Sequence, residues 1–391
     1  MTDLLITNAK IITPERTISK GWLLARDGKI TAIGTQIAPD IPDVRVFGAN
    51  GLTLLSGFID IHVHGAVGAD TMDANPESLR KMARFYAQQG VTGFTPTTLT
   101  ASHEETLAAL ETIKSIMKEA VDGAAILGCH LEGPYLNLEK SGAQNKQYIR
   151  RAEKREATAY LDIGVIRLIS LAPEFEENHW LIQACVERGI TVSVAHTNAS
   201  YSQMKAAIAL GITHATHTYN AMTGLHHREP GVLGAVMESF AVRCELVADN
   251  VHVHPTAMNI LWQAKGKDRL ILITDSMMAA GMADGHYKLG DYAVTVAEGK
   301  VILANGTLAG SILTMNQAVL NFMRATGEPL DNIWQVMSLN AARAINIAHR
   351  KGSLEIGKDA DLVLVDEELH VQLTVVDGNI VYDAKNDRGF D

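Results

Sequence analysis

Between residue 56 and about residue 280, short β-rich runs ending in polar residues alternate with stretches whose apolar positions recur at helical spacing, the pattern that builds βα units. Eight such runs can be counted: GFIDIHVHG (57–65), VTGFTPTT (91–98), AILGCHLEGP (125–134), IRLISLAPE (166–174), ITVSVAHT (190–197), THATHTYNA (213–221), CELVADNVHV (244–253) and RLILITDS (269–276). Eight parallel strands, each followed by a helix, close on themselves, so the pattern predicts an α/β fold built on a (β/α)8 TIM barrel. The stretches between them carry helix punctuation. Asn75 stands as a cap before Pro76–Gln89 with Gly90 as the stop, and Ser102 opens His103–Glu119 with Glu105 three residues on, the spacing of a capping box.

At both ends of the chain the pattern changes. The first 50 or so residues and the last 40 read as short strands joined by turns, with Asp27-Gly28 and Asp377-Gly378 as hairpin signals. These ends are expected to pair into one small β-sandwich domain, residues 1–54 and 346–391, leaving 55–345 to the barrel. The segment YKLGDYAVTVAEGKVILANGT (287–307) interrupts the βα rhythm after the eighth run and predicts an inserted β-hairpin able to reach over the barrel mouth.

Composition adds exclusions. With 391 residues, 47% hydrophobic and 20% charged, the chain can bury a barrel core and that of a smaller domain. A net charge of -10 argues against wholesale attraction to nucleic acid or to an anionic membrane, so any anionic substrate must be caught by a local cationic group. The opening MTDLLITNAKIITPERTISK lacks the basic start and apolar block of a signal peptide, and no transmembrane run appears. Cys129, Cys185 and Cys244 are widely spaced and odd in number, a poor disulfide framework, so a cytoplasmic location is expected.

His62 and His64 lie two apart on the first strand, facing the same way at its C-terminal end, where TIM barrels keep their active sites. In isolation such a pair is more often two polar residues at a strand end; its company changes the reading. Glu132, His196, His217 and Asp275 close runs three, five, six and eight at the same end. They are expected to converge across the mouth, where neutral imidazoles and a carboxylate can hold a divalent ion with a position open for water. His252 and His254 repeat the His-x-His spacing and are a rival on spacing alone, whereas His214, three residues before His217, faces the other way and reads as a packed histidine. The loop HHREPG offers His226, His227 and Arg228, and an arginine can make two parallel hydrogen bonds to phosphate oxygens.

In this order, SGFIDIHVHG, GCHLEGPYLN, VAHTNA, HTYNAM and ITDSM resemble the signature of the N-acetylglucosamine-6-phosphate deacetylases of the amidohydrolase superfamily, over essentially the whole chain. LLITNAKIITP near the start, and NAARAINI with KGSLEIGKDADLVLVD near the end, resemble the β-domain of amidohydrolase relatives. HLEGP is the narrower marker, because cyclic-amide hydrolases usually present a carboxylated lysine where Glu132 stands.

The resemblance implies metal-dependent hydrolysis of the acetamide of N-acetyl-D-glucosamine 6-phosphate to D-glucosamine 6-phosphate and acetate, in amino-sugar catabolism and cell-wall sugar recycling. It assigns a primary metal to Glu132, His196 and His217, keeps His62 and His64 as in relatives with a second metal, and makes Asp275 the catalytic base. One or two ions remains open. Zinc is the expected metal, although iron, manganese or cobalt suit the same donors. Substrate would meet Asn220, Ala221, Arg228 and His252, with Ala143, Leu308 and Ala309 lining the sugar. In some relatives the arginine reaches across from a neighbouring subunit, which makes a homodimer or homotetramer the expected assembly. Gln144 departs from the histidine that many relatives use to polarise the acetyl carbonyl. The alternative reading is another amidohydrolase, a cyclic-amide hydrolase or a nucleobase deaminase.

Overall fold

The computed structural model describes residues 3–119 and 122–386. Eight parallel strands organise its centre: β1 (Phe58–Val63), β2 (Val91–Pro96), β3 (Cys129–Glu132), β4 (Ile166–Leu171), β5 (Thr191–Val194), β6 (His214–Ala215), β7 (Arg243–Val247) and β8 (Leu270–Ile273). Strand β1 pairs with β2, and β3 through β8 pair in succession. Parallel bridges Thr97–His130 and Val63–Ser276 join β2 to β3 and β8 to β1, so the succession of neighbours returns to its start. Each expected run supplies one of these strands. Side chains of β1, β2 and β8 are buried on both faces, as parallel strands flanked by helices require. The result is a TIM-barrel-like domain accompanied by a second domain.

Local chemistry sets the helix starts. The Asn75 side chain accepts from the Glu77 amide at the head of Pro76–Gln88. Ser102 and Glu105 form the reciprocal capping box of His103–Ile116, a helix that stops three residues before the expected Glu119. Among the described residues no helix is long and apolar enough to cross a membrane.

The second domain draws on both chain ends. Leu4–Ile12, Thr17–Arg26, Lys29–Thr35, Arg45–Gly48 and Thr53–Ser56 join Leu362–Val365, Val371–Val376 and Asn379–Asp383 in one eight-stranded sheet. Asp27 and Gly28 (φ 48° and 74°), like Asp377 and Gly378 (φ 47° and 79°), take the two left-handed conformations of a tight hairpin turn. Leu4, Ile11, Leu23 and Leu54 pack with Leu362 and Leu373 in a common core. The antiparallel pair of Thr53–Ser56 with Leu362–Val365 ties the ends together, so the expected division at 54/55 falls inside a strand.

The insertion after β8 has one strand more than the expected hairpin. Gly285–Leu289, Tyr292–Ala297 and Lys300–Leu303 form an antiparallel sheet, because a second tight turn at Glu298-Gly299 (φ 51° and 76°) follows the first. Its inner face, Leu289, Val294, Val296 and Val301, packs on Leu99, Met277 and Ala309 beside the barrel mouth.

Candidate active site

At the C-terminal ends of the parallel strands, β1 contributes His62 and is followed directly by His64, β3 ends on Glu132, and the turns after β5, β6 and β8 carry His196, His217 and Asp275. The last three take positive φ values, 43°, 28° and 51°, in a region that non-glycine residues seldom occupy; strain of this kind collects where a side chain must be aimed. Glu132 lies between two histidine pairs. Its Oε1 is 3.2 Å from His196 Nε2 and 3.2 Å from His217 Nε2, while its Oε2 is 3.3 Å from His64 Nε2 and 3.7 Å from His62 Nε2. Asp275 Oδ1 closes the second group at 3.5 Å from His62 and 3.4 Å from His64.

This donor set fits a divalent cation. His64 and His196 turn Nδ1 to the carbonyls of Thr97 (3.3 Å) and Lys140 (2.8 Å), and His62 turns Nδ1 to Glu245 Oε2 at 3.1 Å. Groups that only accept fix the proton on Nδ1, which leaves the Nε2 lone pairs aimed at the centre. Lone pairs and carboxylate oxygens 3.2–3.7 Å apart repel unless positive charge lies among them. The titration shifts express the same demand. Burial works against charge on His62 and His64, yet neighbouring Asp275 and Glu132 raise His62 well above the ordinary imidazole range and His64 to about 9. Burial likewise opposes ionisation of Glu132 and Asp275, but the histidines outweigh it, holding Glu132 far below the usual carboxylate range and Asp275 at about 2.

A cavity of about 340 Å³ opens above this centre. His64, Glu132, His196, His217 and Asp275 form part of its lining, and Ala143, Asn220, Ala221, His252 and Leu308 border it as well. His62 lies beneath, with no exposed surface. Gln144 is locked at both ends: its amide nitrogen donates to Glu132 Oε2 (2.7 Å) and its oxygen accepts from the Thr100 amide (2.8 Å). His252 Nδ1 donates to Asp249 Oδ2 at 2.7 Å, which raises the imidazole against the effect of its burial. Two expected substrate residues do not border the cavity. Ala309 is buried under the inserted sheet, and Arg228 sits on an exposed loop, its guanidinium 2.7 Å from His227 Nε2. His254 caps the helix Pro255–Lys265 through the Thr256 amide and takes no part in the centre.

The structure also supplies groups that sequence reasoning passed over. Glu245, with no exposed surface, engages His62, His214 and the His217 amide. Leu99 and Leu289 form an apolar stretch of the cavity wall. Glu245 stands within an apolar run and Leu99 in a loop, so only strand register could have marked the first and nothing local marks the second.

Comparison with known proteins points the same way. Residues 53–381 match the model of the Amidohydrolase family. An N-acetylglucosamine-6-phosphate deacetylase of Bacillus subtilis (strain 168) is 39% identical over 98% of both chains. An N-acetylgalactosamine-6-phosphate deacetylase of Escherichia coli O157:H7 is 37% identical, over 95% of this chain and 97% of that one. The crystal structure of N-acetylglucosamine-6-phosphate deacetylase from Pasteurella multocida superposes with a TM-score of 0.92 at 32% identity, covering 97% of this chain and 99% of the other.

Proposed function

The chain belongs to the amidohydrolase family, and from that premise we propose that it hydrolyses the acetamide of N-acetyl-D-glucosamine 6-phosphate to D-glucosamine 6-phosphate and acetate. The observation that carries the reading is Glu132, one carboxylate held between two histidine pairs with Asp275 beside it at the floor of a sugar-sized cavity.

In this reading Glu132, His196 and His217 would hold one divalent cation, and His62 and His64 together with Glu132 would hold a second. Zinc is the metal we propose; when bound it lowers the pKa of water and polarises the acetyl carbonyl, neither of which an acetamide and water achieve unaided. Asp275, ionised at neutral pH, takes the proton of the attacking water through its carboxylate and returns it to the departing amine nitrogen. The Gln144 amide group, fixed on Thr100 and Glu132, stands where many relatives place an imidazole and offers the carbonyl a donor that does not titrate. His252, its Nδ1 proton committed to Asp249, presents Nε2 to the sugar phosphate, together with Asn220 and the Ala221 backbone. Ala143 and Leu308 shape the sugar pocket. Ala309 supports it from beneath.

Arg228 lies outside its own chain's cavity, which supports an assembly of two or four chains in which it meets the 6-phosphate in a neighbour's site. The architecture we propose is a (β/α)8 barrel and a β-sandwich from both ends, with the expected division at 54/55 moved to near Ser56 and the expected hairpin extended to a three-stranded inserted sheet. A cytoplasmic setting agrees with the buried free thiols of Cys129, Cys185 and Cys244. The Escherichia coli relative favours a second reading, the galactosamine epimer as substrate.

Acetate and free amine released from N-acetylglucosamine 6-phosphate, its galactosamine epimer and the unphosphorylated sugar test both. The glucosamine ester is expected to be turned over with the highest kcat/KM; higher kcat/KM for the epimer would move the assignment to it, and release from neither would refute both. Arg228→Ala should lower kcat/KM on the phosphorylated sugar by about 2–4 kcal/mol and leave the unphosphorylated sugar unchanged. Equal losses on both would remove Arg228 from phosphate binding.

A further inference from the structure

For an imidazole to give its Nε2 lone pair to a cation, Nδ1 must hold the proton, and the partner at Nδ1 also sets how strong a donor the ring is. The four imidazoles of the centre differ in that partner. His64 and His196 face neutral carbonyls, and His217 Nδ1 has no hydrogen-bond partner. His62 alone faces a carboxylate, Glu245 Oε2 at 3.1 Å.

We infer that Glu245 is a positioning residue for the His62–His64 half of the centre, fixing His62 with its proton on Nδ1 and making its Nε2 the strongest imidazole donor of the four. The inference rests on the reading of the centre as a site for two divalent cations. Glu245 lies in the middle of β7 with no exposed surface and does not border the cavity, so it acts through His62 and not on substrate. It is held from three directions. His214 Nε2 meets its Oε1 at 2.9 Å, and the His217 amide donates to Oε2 at 3.2 Å, besides the contact with His62. A carboxylate tethered in this way cannot swing round to the Nε2 side and become a ligand beside Glu132. It pulls on the Nδ1 proton from behind the ring, which strengthens the lone pair in front more than a neutral carbonyl does. His214 thereby acquires a role beyond packing, as the anchor of the second Glu245 oxygen.

The test uses Zn2+ alone as probe. Metal-free wild type and Glu245→Gln are reloaded and dialysed against graded chelator buffers, and bound zinc is counted by elemental analysis. Wild type should hold two equivalents; in the variant one equivalent should weaken by roughly 10- to 100-fold while the other stays near its wild-type affinity. Introducing Glu245→Gln into His62→Gln protein, which has already lost the affected half, should change the remaining equivalent no further. Two equivalents at wild-type affinity in the variant would overturn the inference, as would equal weakening of both or a further loss in the His62→Gln background. A wild type that binds a single equivalent, untouched by His62→Gln, would remove the two-cation premise before the variant is considered. If Glu245→Gln does not fold, Glu245→Asp, which keeps the charge on a shorter arm, carries the same comparison.

Discussion

Among the described residues, two clusters gather carboxylates closely enough to hold a cation, and only one needs it from outside. At the seam between the two chain ends, Asp359, Asp361 and Asp377 approach one another much as Glu132 and the histidines do at the barrel mouth. Their cation is part of the chain: Lys351 Nζ lies 2.6 Å from Asp361, 3.0 Å from Asp359 and 3.0 Å from Asp377, with its side chain 1% exposed. Arg350 and Lys29 add two further contacts to Asp359. At the mouth, no lysine or arginine among the described residues is ion-paired with Glu132 or Asp275; histidine nitrogens and carboxylate oxygens stand 3.2–3.7 Å from one another. Proximity of acidic groups thus says little by itself. A charge left uncompensated inside a protein costs several kcal/mol, so a cluster that carries its own cation reads as a structural fastener, and one that lacks it as a candidate binding site.

The largest effect should follow from breaking the mouth. Glu132→Gln removes the carboxylate shared by both histidine pairs, so bound metal and activity should disappear together; a variant that keeps its full metal content, by elemental analysis, would show that Glu132 is not a ligand. Asp275→Asn should keep the metal and lose roughly 10²- to 10⁴-fold in kcat, since the isosteric amide cannot carry the proton. Near-normal turnover would remove Asp275 from that role.

Breaking the seam should do the converse. Lys351→Met leaves buried carboxylates without their ammonium and should cost about 3–5 kcal/mol in chemical denaturation, with metal content unchanged. Loss of metal in this variant would abolish the distinction between the clusters. The smallest effect is the pH dependence of that difference. Burial works against the Lys351 charge, but Asp361, Asp377 and Asp359 outweigh it and hold the ammonium above the ordinary lysine range. A raised lysine stabilises fully below its unfolded pKa of about 10.4 and loses that contribution as pH rises through the higher folded value. Asp359 is lowered, its burial outweighed by Lys29 and Lys351, so its share is present above the unfolded pKa of about 3.9 and is lost as pH falls toward the folded one. Burial raises Asp361 even beside Lys351, so losing the ammonium raises it further, and the stability gap between wild type and Lys351→Met should narrow as pH falls toward the carboxylate range and again as pH rises through the lysine range; a gap that widens toward either extreme would contradict the ion-pair account.

The mouth was far more legible in the sequence than the seam. His62, Glu132, His196, His217 and Asp275 each end a strand-like run, and one architecture places all such ends together, so local pattern was enough. Even the two-residue strand His214–Ala215 was marked by the polar residues that follow it. The seam joins Lys29 to Asp359 across 330 positions, and no periodicity connects them. Glu245 was hidden for a related reason: its partners His62 and His214 come from other strands. Arg228 was singled out for its chemistry, but its place outside the cavity is a property of the loop's path, which local pattern does not carry.

The distinction between the clusters is tested most directly by stripping the protein with chelator and returning Zn2+ in measured fractions of an equivalent while acetate release from N-acetylglucosamine 6-phosphate is followed. Activity should be absent in the stripped protein and return in step with bound zinc, with the fold intact throughout because the seam keeps its own cation. Undiminished activity in protein shown by elemental analysis to be free of metal would contradict the account.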